Sequence, residues 1–140
     1  LGCYEVFEHT ADLGLRVMGE DLDDLFRTAA EALLDQVVEN RQEIRPLNRV
    51  EVALTAETTE DLLAHWLTEI LYRIETEHRV FGRFEARVAP NGQSLTGLLV
   101  GEPIDRTRHV LDHEVKAVTR HGLRVERSGI GWLAEFILDI

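Results

Sequence analysis

Apolar and polar residues alternate along this chain with two different periods, and the switch between them marks out the elements. Tyr4 to Phe7 form a short apolar run, and Leu13, Leu15 and Val17 then alternate with Gly14, Arg16 and Met18, which predicts two strands joined by a loop around Asp12. Gly19 and Asp21 mark a turn and an N-cap. After them Leu22, Leu25, Phe26, Ala29, Ala30, Leu33, Leu34 and Val37 recur at helical spacing for about four turns. The opposite face carries Asp23, Asp24, Arg27, Glu31 and Asp35, a solvated surface by pattern, with an acidic docking face as the alternative. Residues 41–48 are polar and broken by Pro46, hence a loop, and Val50, Val52, Leu54 and Ala56 mark a further strand. Thr58 and Asp61 have capping-box spacing. They introduce a second helix whose buried stripe is Leu62, Leu63, Trp66, Leu67, Ile70, Leu71 and Ile74. Trp66 on that stripe is a core residue rather than a binding aromatic, and His65 beside it is a surface or boundary histidine rather than a ligand.

From Val80 the period returns to two. Phe84, Ala86 and Val88 alternate with Glu85 and Arg87, Pro90-Asn91-Gly92 follows, and then the segment from Leu95 to Val100, which predicts a hairpin closed by a two-residue Asn-Gly turn. Residues 105–109 make a polar, arginine-containing loop, and the chain re-enters strand over residues 114–118. It bends near His121-Gly122, continues through Leu123 and Val125, turns at Ser128-Gly129-Ile130-Gly131 and ends in a strand through Trp132, Ala134, Phe136 and Leu138. Strands before, between and after two long amphipathic helices imply an α+β class. The expected architecture is one domain over residues 1–140, a mostly antiparallel β-sheet with both helices packed on one face.

Composition narrows the function classes. A chain of 140 residues, 44% apolar and 29% charged, buries a core without needing a metal or a disulfide to fold, and Cys3 alone permits neither an internal disulfide nor a thiolate zinc site. There is no apolar run of the ~20 residues that cross a bilayer and no signal-peptide pattern, so a cytoplasmic location is the expectation. Fifteen basic against 26 acidic residues give a net charge of −11, which opposes strong direct nucleic-acid binding and favours a cation or a basic partner; solubility alone is the alternative use of the acidity. Glycine-rich phosphate loops, nucleophile elbows and helical zinc-ligand pairs are absent from the sequence.

Two carboxylates stand beside strands rather than on a solvated helix face, Asp12 and Asp139. If their strands are neighbours, the two groups and the chain end at Ile140 gather anionic oxygens that repel one another unless a cation lies between them, and oxygen-only ligation suits a hard ion such as calcium or magnesium. Capping of backbone N–H groups is the plainer role for a loop aspartate. His9 is well placed to support such a site, although it serves equally as a loop hydrogen-bonding group. His109 and His113 are about 13 Å apart in extended chain, too far to share an ion. Lys116 is the only lysine, set between Val115 and Ala117. It is either a sheet-surface residue or a functional one, a charge presented to an anionic partner group or a lysine set near the carboxylates.

Four separated stretches resemble the archease family, small protein partners of the RNA-splicing ligase of RtcB type that seals tRNA halves. They are Glu8-His9-Thr10-Ala11-Asp12-Leu13-Gly14; Gly101-Glu102-Pro103 with Asp105, Arg108 and His109; Val115-Lys116-Ala117-Val118-Thr119 with His121; and the terminal Asp139-Ile140. Arg120 departs from the pattern, where the family usually has an aromatic residue. The resemblance implies a protein that is no enzyme itself but promotes guanylylation of the ligase and allows its multiple turnover in tRNA splicing. It further implies a divalent cation, calcium in first place with Mg2+ or Mn2+ as alternatives, at Asp12, Asp139 and Ile140, a need for Lys116 in activation, and His9 and Thr10 as supporting residues. The competing classes are a stand-alone metal-dependent hydrolase using the same carboxylates and a general chaperone or adaptor.

Overall fold

In the computed structural model, residues 1–9 and 12–140 are described, Glu8 and His9 through their backbone alone. Seven strands and two helices follow one another as β1 (Cys3–His9), β2 (Asp12–Gly19), α1 (Leu22–Val37), β3 (Asn48–Thr55), α2 (Thr59–Glu77), β4 (Arg79–Val88), β5 (Ser94–Pro103), β6 (Ala117–Ser128) and β7 (Gly131–Asp139). The α+β class and the antiparallel pairing are as the periodicity predicts. The strands divide between two sheets, of order β1-β2-β7-β6 and β3-β5-β4, rather than forming one. Periodicity locates strands but carries no information about which strands pair, and the split follows from pairing. Both helices touch strands of both sheets, so each sheet buries one face against the helix pair.

Capping holds the helices where the sequence places them. The Asp21 carboxylate accepts from the Asp24 N–H at 2.8 Å and the Thr58 hydroxyl from the Asp61 N–H at 3.1 Å. Between the helices Trp66 is fully buried, its indole N–H donating to the Phe26 carbonyl at 2.9 Å, which satisfies the one polar atom that core placement would otherwise strand. Helix α2 ends at His78, whose left-handed backbone (φ 53°) turns the chain into β4. None of the described helices is long and apolar enough to cross a membrane.

Several local expectations change. The acidic face of α1 is more than solvated surface: the Asp35 carboxylate accepts from the Tyr4 hydroxyl at 2.7 Å and from Arg41 at 2.7 Å, and Asp23 accepts from the Val88 N–H at 2.7 Å. The β4–β5 hairpin is closed by five residues instead of two. Pro90 starts a turn in which the Gly92 N–H donates to the Ala89 carbonyl at 2.8 Å, and only Gly92 (φ 71°) is left-handed. Pro90 has no N–H with which to pair as the residue flanking a two-residue Asn-Gly turn, and its fixed φ suits the second position of the turn it enters, so Asn-Gly is drawn into a longer loop. The bend in β6 is where it was expected, as a register shift against β7 between Thr119 and Arg124 with Gly122 at φ 68°.

Candidate functional site at the end of the four-stranded sheet

The β1-β2-β7-β6 sheet aligns the candidate residues by register. Asp12 opens β2 and pairs with Asp139 at the end of β7, Asp139 pairs on its other side with Ala117 at the start of β6, and His9 in β1 is the partner of Asp12. Asp12 is therefore a strand residue, where a loop position was expected; Thr10, Ala11 and the His9 side chain lie outside the described residues. Residues directly opposite on neighbouring strands point to the same face, so Asp12 and Asp139 are side by side, with Ile140 one position beyond. Like charges so paired repel, and a cation between them relieves the repulsion.

Lys116 is adjacent but not in a strand. Its N–H donates to the Asp139 carbonyl at 2.7 Å, and β6 begins only at Ala117. The expected strand over residues 114–118 thus starts three residues late, because the segment before it is anchored on α1 instead: the Asp112 N–H donates to the Val37 carbonyl at 2.8 Å and the His113 N–H to the Gln36 carbonyl at 3.0 Å. The Lys116 side chain is exposed and has no ion pair among the described residues. A cavity of about 440 Å³ opens beside it, walled by Val115 and Lys116 and floored by Val37, Leu71, Ile74 and Ile104.

The next rows of the sheet buttress this end. Gly14 pairs with Phe7, and a Cβ on Gly14 would lie 2.3 Å from the Phe7 ring, so the glycine leaves room for the ring to lie across the strand. The Arg16 guanidinium covers that ring at 5.2 Å and also pairs with Glu5 and Glu135; Arg124 reaches Glu135 at 3.1 Å. The Arg124 guanidinium, with Arg16 adding to it, holds the Glu135 carboxyl below its ordinary range against the opposing effect of burial. Arg120, at the departure from the family pattern, pairs with Asp61 in the first turn of α2.

The stretch around Glu102 forms a second, buried cluster. Glu102 is 2% exposed and accepts from the Arg45 N–H at 2.8 Å, from Arg108 and from His109 Nε2 at 2.9 Å. The Asp105 N–H donates to His109 Nδ1 at 2.9 Å, which fixes the neutral tautomer with its proton on Nε2. Burial pushes the Glu102 carboxyl up, but these donors outweigh it and hold the group at about 2. The four resemblance stretches thus serve two places: three of them meet at Asp12, Asp139 and Lys116, and the fourth builds this clamp.

Comparison with known proteins agrees over the whole length. Residues 4–140 match the model of the Archease protein family. The chain belongs to the archease family. "Protein archease" of Methanopyrus kandleri is 37% identical over 139 residues, covering 98% of this chain and 99% of that one, and "Protein archease" of Pyrococcus furiosus is 36% identical over 140 residues, covering 98% of each. The solution structure of Methanobacterium thermoautotrophicum protein 1598 superposes with a TM-score of 0.80 at 31% identity, over 98% of both chains. A crystal structure from Thermotoga maritima, described as an archease and possible chaperone, superposes with a TM-score of 0.69 over 97% of this chain and 96% of that one. At 21% identity it speaks for the archease fold alone.

Proposed function

We propose that this archease-family chain is a protein cofactor of an RNA-splicing ligase of RtcB type, promoting guanylylation of the ligase and its multiple turnover, and that a divalent cation at Asp12, Asp139 and Ile140 is part of the working tip. One observation carries the reading: the register that sets Asp12 opposite Asp139, with the Lys116 N–H on the Asp139 carbonyl. The donor set fits a hard ion. Among the described residues no three His, Cys, Asp or Glu side chains converge as a ligand group, so two carboxylates and the oxygens of Ile140 would leave much of a calcium shell, normally six to eight oxygens, to water or to a group of the ligase. Calcium is the first choice, with Mg2+ and Mn2+ as competitors for the same oxygens. When bound, the ion supplies a positive charge at a half-buried acidic sheet end. Asp12 and Asp139 hold it, and Lys116, tied to Asp139 through its main chain, presents its ammonium beside it to an anionic group of the partner. On this reading the protein brings charge and shape to another protein's active site rather than a reaction of its own.

The test has two readouts. Substoichiometric wild-type protein added to an RtcB-type ligase with GTP and RNA ends should raise the number of turnovers, and Asp12→Ala should lose that gain by at least tenfold while keeping the wild-type circular dichroism. Calcium should raise the melting temperature of the wild type and leave that of Asp12→Ala unmoved, as expected for an ion that binds only the folded state. Full stimulation by Asp12→Ala would refute the reading, as would phosphatase activity of the protein alone without any gain in ligation.

A further inference from the structure

A second feature lies along the loop that follows β5. In a chain of net charge −11, Arg45, Arg106 and Arg108 line one open groove of about 740 Å³ together with His78. Arg45 and Arg106 are exposed and have no carboxylate partner among the described residues; Arg108 is turned toward Glu102 and, at 3.4 Å, toward Asp105. The two carboxylates in the groove are already engaged. Glu102 is buried under three donors, and Asp105 accepts from the Thr107 N–H at 2.9 Å and from its hydroxyl at 2.6 Å. Arg45 and Arg106 face solvent without a partner, beside an Asp105 carboxylate that is partly exposed but already bonded.

The groove is also rigidly built. The Glu102–His109 bond and the His109 bond to the Asp105 N–H tie both ends of the arginine loop to β5, and the Asp105 carbonyl accepts from the Arg108 and His109 N–H groups at 3.0 and 2.7 Å. On the other side the His78 carbonyl accepts from the Ile104 N–H at 2.8 Å, fixing the end of α2 against the same loop, and the Arg45 N–H is held by Glu102. Burying a carboxylate is costly unless it is fully bonded, and here its bonding sets the positions from which Arg45, Arg106 and Arg108 project. The exposed guanidinium groups of Arg45 and Arg106, which have no carboxylate partner among the described residues, suit the tetrahedral oxygens of a phosphate. The groove shares His78, Ile104 and Arg106 with the cavity beside Lys116, whose lining also carries Glu75, Asp112 and Glu114.

We propose that this groove binds a phosphate group, as carried by a nucleotide or by the phosphorylated end of an RNA strand. The whole-chain charge argues against binding a polyanion along its length, but a single phosphate reads only the local field. The inference stands on the groove alone and does not depend on the ligase reading.

The experiment uses the intact protein and three probes in calorimetry and fluorescence anisotropy: inorganic pyrophosphate, a short 5′-phosphorylated oligoribonucleotide, and the same oligoribonucleotide without its phosphate. Saturable binding of pyrophosphate is expected, weakened at least tenfold in the Arg45→Ala/Arg106→Ala variant. Both arginines are exposed and unpaired, so that variant should keep the wild-type melting curve. Tenfold tighter binding of the phosphorylated than of the plain oligoribonucleotide would assign the phosphate to an RNA end, and pyrophosphate binding without it to a free nucleotide or polyphosphate. No saturable binding of pyrophosphate, binding unchanged in the double variant, or oligoribonucleotide binding indifferent to the phosphate in the absence of pyrophosphate binding would overturn the proposal.

Discussion

Glu102 shows how little of a residue's role its neighbours in sequence reveal. Gly101-Glu102-Pro103 at a strand end looks like an exposed turn, yet Glu102 has the parity of Leu98 and Val100 in β5, and the 105–109 loop returns over that face to bury it. Leu99 and Gly101, of the other parity, are buried as well, so alternation gives no signal here, and the covering loop could not be foreseen from local pattern. Its depressed carboxyl has a consequence for stability. A group held at about 2 when folded, against an ordinary 4.5, contributes stability that is fully present above 4.5 and is lost as the pH falls toward 2. Glu102→Gln should therefore destabilise the protein by about 3 kcal/mol at neutral pH and flatten the loss of stability between pH 4.5 and 2. Urea unfolding midpoints across that window check this, and equal pH slopes in the two proteins would refute it. Asp12 and Asp139 were more legible, since both interrupt an apolar alternation; what the residues alone left open was whether their strands meet.

At the level of the element, the helices and strand positions follow from periodicity because burial of one face is a local property. Pairing and irregularity do not. The entry of the chain into β6 is the plainest case: Val115 and Ala117 alternate as a strand would, but main-chain bonds to α1 hold residues 112–113 out of the sheet, and Lys116 is left at its end. Glycines divide in the same way. Gly14 faces the Phe7 ring, so Gly14→Ala forces that ring away and should cost about 1–3 kcal/mol, whereas Gly122→Ala meets nothing within 4 Å and carries only left-handed backbone strain of about 1–2 kcal/mol. The two differ in how they couple to Phe7. In a Phe7→Ala background the added cost of Gly14→Ala should largely vanish, because the ring it displaces is gone, while that of Gly122→Ala should stay. Chemical unfolding of the single and double variants measures this; an undiminished Gly14→Ala cost would show that the ring is not what the glycine accommodates.

Across the whole molecule, charge and site disagree in a way that can be measured. The net charge of −11 describes the average surface, and it made direct binding to a polyanion unattractive from composition alone. The fold then sorts the charges. Many of the arginines are matched to carboxylates, as Arg16, Arg27, Arg41, Arg73 and Arg124 are, while Arg45 and Arg106 are left facing one groove and Asp12 and Asp139 are collected at one sheet end. Sorting of this kind is invisible to composition, because it depends on which strands pair and where a loop returns. It also sets what length of nucleic acid can matter. If only the groove is attractive, each phosphate beyond the one it holds meets a surface that is negative on average, so extending the RNA adds no counterion release and no affinity. A long and a short oligoribonucleotide carrying the same terminal phosphate should bind within about threefold of each other, and log Kd against log salt should have the slope of one or two neutralised phosphates for both. Affinity and salt slope that grow with RNA length would instead mean that the arginines form a continuous track, and that the acidic surface as a whole does not govern what the protein meets.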